Sequence, residues 1–264
     1  VHTLPFIEEA NLYNAMSGNS NRFAVGSYPF MPTLLGSGTS HASQTVLNGL
    51  LCPSFGGQGV VTAAGGTYKS LLSYNGSSPY PQIAITNYKA MTGITSPGMA
   101  SGLNDNGAMP LKSPKFGNEA TDPAPLWGNN LAAMRDGTSK TILLSESKEG
   151  GNSAWIDGMQ TFVAALADDS GALPVLVSGI WTTAGCQSDL NYGPTSAFPN
   201  RVSINLGARG LLGNSAWGPS SDHSGGLVVT AWVDGHTSTV SADIDPAVYF
   251  GLVTRDQGES VSVE

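Results

Sequence analysis

The chain has 264 residues, enough to bury a sizeable core in one domain or two. Only 11% of residues are charged, the net charge is −8, and the 11 Lys and Arg residues are scattered. That pattern excludes a phosphate-tracking nucleic-acid surface and attraction to an anionic membrane. The surplus of Gly, Ser, Thr and Asn has an extracellular character, and no apolar run approaches the ~18 residues of a membrane span. The chain starts with Val1, so any targeting segment is expected upstream of the numbered residues.

Residues 1–16 predict an amphipathic helix with Pro5 in its first turn. Leu4, Ile7, Leu12 and Met16 fall near one face, with Glu8, Glu9 and Asn14 opposite. Residues 17–45 read as loop. The short apolar run Thr45 to Leu51 leads to Cys52-Pro53-Ser54, where proline ends regular pairing. Gly59 to Thr62 and Gln82 to Thr86 are β-prone, and Asn87 to Gly93 reads as a strand entering a turn. Residues 95–128 form a long stretch rich in Gly, Pro and Asn. Asn130 to Met134 is helical or 3₁₀, Asp136 to Ser139 is a turn, and Thr141 to Glu146 is a buried strand. A short helix is expected around Gln160 to Ala167, within a loop-rich insertion spanning about 147–220. After Ser221-Asp222-His223-Ser224-Gly225-Gly226, the run Leu227 to Val233, Asp234-Gly235 and the run His236 to Ser241 predict a hairpin with a type I′ turn. Pro246 to Val253 predicts a short closing helix. Short strands, turn clusters and few helices argue for an α+β fold with an antiparallel sheet, in a single domain over 1–264.

Two cysteines, Cys52 and Cys186, fit one disulfide in an exported protein, the favoured reading, or two buried thiols in the cytosol. With no histidine near either in sequence they do not suggest a metal set. His223 and Asp234 invite an acid–base reading, but a structural role fits better, since Asp favours hairpin turns and His223 precedes a Gly-Gly turn. No Gly-x-Ser-x-Gly elbow follows a strand, so serine catalysis is not expected and no catalytic residue is assigned. Asp243 and Asp245, two apart beside a turn, are a candidate calcium pair, with Asn104-Asp105 and Asp168-Asp169 as lesser ones. Asp245-Pro246 is also an ordinary helix N-cap. Trp127, Trp155, Trp181, Trp217 and Trp232 would make a sugar platform if exposed together, but core packing is the simpler expectation.

Six segments resemble, in order, one family. They are Leu4-Pro5-Phe6-Ile7-Glu8 with Asn11-Leu12-Tyr13; Leu51-Cys52-Pro53-Ser54; Thr86-Asn87-Tyr88 with Gly93; Asp136-Gly137-Thr138-Ser139-Lys140-Thr141-Ile142-Leu143 with Glu146; His223, Gly225-Gly226 and Asp234-Gly235; and Thr254-Arg255 with Gly258-Glu259. Together they resemble the large paralogous family of planctomycete prepilin-like proteins of unknown function. The resemblance implies a pilin-like headgroup, an antiparallel sheet packed on an N-terminal helix with long irregular loops. It also implies self-association or association with other pilin-like subunits, in a type IV pilus or type II secretion pseudopilus. The expected location is extracellular, cell-surface or periplasmic. Membrane contact would come only through an apolar spine helix that the numbered residues lack. The alternative implied by the family is an extracellular solute- or carbohydrate-binding module with a glycan ligand.

Overall fold

A computed structural model describes residues 3–17, 44–62, 82–94, 106–109, 129–148, 153–155, 161–165, 174–182 and 218–259. The chain divides into two compact units. One comprises Val1–Leu51, Gly57–Thr86 and Gly150–Gln160; the other comprises Cys52–Gly56, Asn87–Glu149 and Thr161–Glu264.

In the first unit the opening helix is interrupted. A 3₁₀ turn over Leu4–Ile7 ends at Glu8, whose φ of 65° is left-handed, and helix α1 then runs over Ala10–Ser17. Pro5 sits in the first turn, as its fixed φ favours. The expected continuous apolar face is therefore broken: Leu4 is buried, while Phe6 and Ile7 are exposed. Strand β1 (Val60–Thr62) pairs antiparallel with β2 (Gln82–Ala84). Ala154 bridges Ile85, and the Trp155 indole N–H donates to the Thr45 carbonyl at 3.0 Å.

The second unit is built on a five-stranded sheet. Its strands are β3 (Tyr88–Gly93), β4 (Ile142–Glu146), β5 (Phe162–Ala164), β8 (Leu227–Trp232) and β9 (Thr237–Ser241), in the order β5-β3-β4-β8-β9. All neighbours are antiparallel except β3 and β5, which run parallel. The α+β class expected from sequence is the one observed, with a mixed sheet. The expected helix around Gln160 to Ala167 is instead β5. Phe162, Val163 and Ala164 are all buried, and an aromatic and a β-branched side chain suit a strand enclosed on both faces.

Helix α2 (Pro246–Val253) contributes Tyr249, Phe250, Leu252 and Val253 to the core cluster, which also holds Met91, Ile142, Val163, Val228, Trp232 and Val240. A second hairpin, β6 (Val175–Val177) with β7 (Ile180–Thr182), falls inside the stretch read as a loop-rich insertion. Its two-residue loop, Ser178-Gly179, has positive φ at both positions (53° and 79°), the signature of a type I′ turn.

The β8–β9 hairpin closes differently from expectation. Gly235 has φ 93° but Asp234 does not have positive φ, and the Gly235 N–H donates to the Trp232 carbonyl at 2.9 Å. This is a three-residue loop in which a type I turn is followed by a left-handed glycine, rather than a type I′ turn. The loop is fixed from outside: Val233 N–H donates to the Thr141 carbonyl and Asp234 N–H to the Thr138 carbonyl, both at 3.1 Å. Among the described residues, no helix is long and apolar enough to cross a membrane.

Candidate functional site

Three sequence-distant segments of the second unit meet around one thiol. The Cys52 loop is tight: Phe55 N–H donates to the Cys52 carbonyl at 3.0 Å, and Ser54 N–H approaches the Cys52 sulfur at 3.4 Å. Asn87, immediately before β3, clamps that loop to the sheet. Its side-chain oxygen accepts from Cys52 N–H at 2.9 Å, and its amide nitrogen donates to the Ser147 carbonyl at 3.1 Å. Ser147 N–H returns to the Asn87 carbonyl at 2.6 Å, so the start of β3 and the end of β4 are locked together.

Glu146, the last residue of β4, lies opposite Tyr88 in the register. Its carboxylate accepts from Val229 N–H at 3.4 Å and lies 3.3 Å from His223 Nε2, which is itself 3.5 Å from Cys52 Sγ. His223 is held by its own loop: its N–H donates to Ser221 Oγ at 3.2 Å, and the Ser221 hydroxyl donates to the Leu227 carbonyl. Gly225 and Gly226, with φ of 80° and 66°, complete the turn into β8. On the rim, Lys148 pairs with Asp222 at 3.3 Å.

The cluster is asymmetrically buried. Cys52 is 5% exposed and Glu146 2%, whereas the His223 side chain is 30% exposed. Burial pushes the Cys52 thiol above its ordinary range, and the hydrogen bond and charge of Glu146 push the same way, partly offset by the Ser54 N–H. Burial, followed by the charges of Cys52 and Glu146, likewise raises the Tyr88 hydroxyl. A thiol held protonated in this way is the opposite of an activated nucleophile, whose pKa is lowered by cations or helix N-termini. Among the described residues, Cys52, Glu146 and His223 form the group of metal-competent donors, with one atom from each lying within 4.8 Å of the others.

His223 and Asp234, adjacent elements of one motif in sequence, are not partners. They flank opposite ends of the six-residue β8, about 20 Å of extended chain. Asp234 instead accepts from His236 N–H at 3.1 Å and lies 2.6 Å from His236 Nδ1, contacts that hold its carboxyl below the usual range. The His236 ring stacks on Trp232, with centroids 5.3 Å apart and planes 6° from parallel.

Asp245 caps α2, accepting from Ala247 N–H at 2.8 Å and Val248 N–H at 3.3 Å. Asp243 is exposed, and its N–H donates to Ser241 Oγ. Neither belongs to a three-donor group among the described residues. Asn104, Asp105, Asp168 and Asp169 lie outside the described residues. Cys52 is a free thiol, and Cys186 lies outside the described residues. Trp155, Trp181 and Trp232 are buried in packing roles, and Trp127 and Trp217 lie outside the described residues.

A second junction gathers the closing motif. The Asp136 carboxylate accepts from Gln257 N–H at 2.9 Å and Gly258 N–H at 2.8 Å. Arg255 donates to the Gly107 carbonyl at 2.8 Å. Glu259 accepts from the Trp181 indole at 2.7 Å and from the Thr254 hydroxyl.

The sequence reading missed the Cys52–Glu146–His223 convergence, having set aside a metal role because no histidine lay near either cysteine. His223 arrives from 171 positions away. The available signal was that Cys-Pro-Ser, Asn-Tyr, the glutamate and the histidine are all pieces of the quoted motif set. These are the pieces that the fold brings together.

A family model matches residues 1–247. The chain belongs to the family described as "Protein of unknown function (DUF1559)". No curated protein and no solved structure matches the chain. Within this DUF1559 member, the donor cluster and the Asp136–Gly258 contact are built from segments that carry the family resemblance.

Proposed function

We propose that this chain is the head of a pilin- or pseudopilin-like subunit at the cell surface, and that it works by association rather than catalysis. The observation that carries this reading is the outer face of the β6–β7 hairpin. Its register places Val175, Val177 and Ile180 on one face, and they are 57%, 53% and 65% exposed. The opposite face carries Trp181 and Leu176, which pack on the core. An apolar face on a hairpin whose other side is anchored suits burial against a partner subunit, because clustered exposed apolar side chains mark interaction surfaces. The prepilin-like motifs add support, since Asn87, Asp136 and Asp234 all use their side chains to pin backbone. Membrane or filament-core contact would belong to the spine helix that precedes the head in the resembling family.

Electron microscopy of native cell-surface material, with the chain located by antibody, tests the reading. Filaments or pseudopili containing the chain are expected, and a paired Val177→Glu, Ile180→Glu variant should reduce their number without unfolding the head. A chain that stays strictly monomeric in native material would sink the proposal.

A further inference from the structure

We propose that Cys52, His223 and Glu146 form a three-ligand site for a borderline-soft divalent cation of the zinc class, with the fourth position facing solvent beside the half-exposed imidazole. The argument is independent of the assembly proposal. Zinc binds sulfur at ~2.3 Å, imidazole nitrogen at 2.0–2.1 Å and carboxylate oxygen at 2.0–2.2 Å, so a tetrahedron has S···N and N···O edges of about 3.5 Å and about 3.4 Å. The observed separations are 3.5 Å from Cys52 Sγ to His223 Nε2 and 3.3 Å from His223 Nε2 to Glu146 Oε2. Two of the three donor–donor edges therefore match ligand spacing, and all three donor atoms lie within 4.8 Å of one another.

The donor set also selects the ion. Sulfur and imidazole are poor ligands for Ca²⁺ or Mg²⁺ and good ones for Zn²⁺. The surroundings supply what a metal site needs outside its ligands. Ser54 N–H faces the sulfur, Val229 N–H faces the carboxylate, and Asn87 anchors the Cys52 backbone. Lys148, two residues from Glu146, pairs with Asp222, while the buried Glu146 carboxyl faces the His223 imidazole. On binding, the thiol proton leaves to solvent and the thiolate, imidazole and carboxylate share one cation. The competing reading is a neutral hydrogen-bonded cluster of thiol, imidazole and carboxylate that never holds metal.

The full chain, stripped with a chelator and kept reduced, is titrated with Co²⁺ as an optical probe and with Zn²⁺ against a chromophoric chelator. The expected result is one equivalent of Co²⁺ with tetrahedral visible bands and a thiolate-to-metal charge-transfer band, displaced by Zn²⁺. Cys52→Ser should abolish the charge-transfer band and Cys186→Ser should leave it intact. His223→Ala, at a partly exposed position, should weaken Zn²⁺ binding by at least about tenfold. Circular dichroism checks that each variant is folded. A missing thiolate band, a band that follows Cys186, or unchanged Zn²⁺ affinity in folded His223→Ala overturns the site. If Cys52→Ser does not fold, the His223 variant alone decides.

Discussion

The buried Asn87 side chain receives the Cys52 backbone N–H at 2.9 Å, and this single contact ties the Cys-Pro-Ser loop to the first residue pair of the sheet. The same amide donates to the Ser147 carbonyl at 3.1 Å, so one side chain satisfies two buried backbone groups on separate segments. Replacing it with Ala removes both bonds. Asn87→Ala is expected to lose about 1–3 kcal/mol. Urea denaturation should show a lower midpoint with an unchanged slope. A midpoint equal to wild type would mean that the clamp carries no stability.

Gly107 packs against the end of β3. A Cβ there would lie 2.5 Å from the Thr92 carbonyl carbon and 2.6 Å from Gly93 N, both backbone atoms that cannot swing aside. The close approach is needed by the Gly107 N–H bond to the Thr92 carbonyl and by the bridge to Thr254. Gly107→Ala is expected to cost about 1–3 kcal/mol or more through overpacking. Soluble yield and the urea midpoint should both fall, whereas Gly49→Ala, where no atom lies within 4 Å and φ is not positive, should be milder.

Asp245 supplies the two hydrogen bonds that start α2, and its removal should act through the cap. Asp245→Ala is expected to cost about 1 kcal/mol, and Asp245→Asn, which keeps an accepting oxygen, much less. Thermal melts of both variants measure this. Calcium added to the wild type should leave its melting temperature unchanged, because the aspartate acts as a cap.

Glu259 supplies a pH signature. Burial raises its carboxyl above the ordinary value, opposed by the hydrogen bonds from Thr254 and Trp181, and the nearby charge of Asp136 raises it further. The folded state therefore holds this proton more tightly than the unfolded chain does. Its contribution to stability is fully present below the ordinary carboxylate pKa and is lost as pH rises through the folded value. Glu259→Gln keeps an accepting oxygen and abolishes the charge. It should raise the melting temperature near neutral pH, with the difference shrinking towards acid. A gain that is constant from acid to neutral pH would remove ionisation as its cause.

Local chemistry alone determined much of the architecture. The apolar run before Glu146, the paired runs around Asp234-Gly235 and the Asp245-Pro246 start of α2 each encode their element within a few residues, because strand alternation, glycine φ and N-capping are short-range effects. Order-specific motif spacing pointed to a family of unknown function, and a family model of that description matches residues 1–247. Where tertiary pairing competed with propensity, the local reading failed. Residues 162–164 became a strand because β3 offered a free parallel edge, and Glu8 broke a helix whose pattern ran on. The donor cluster was beyond any local reading. Its thiol, carboxylate and imidazole lie on three segments, and only the sheet order, with β3 between the Cys52 clamp and β4, and β8 beside β4, carries His223 to within 3.5 Å of Cys52. Short-range forces act between neighbours in sequence, whereas a site is a coincidence in space, and only the folded chain fixes that.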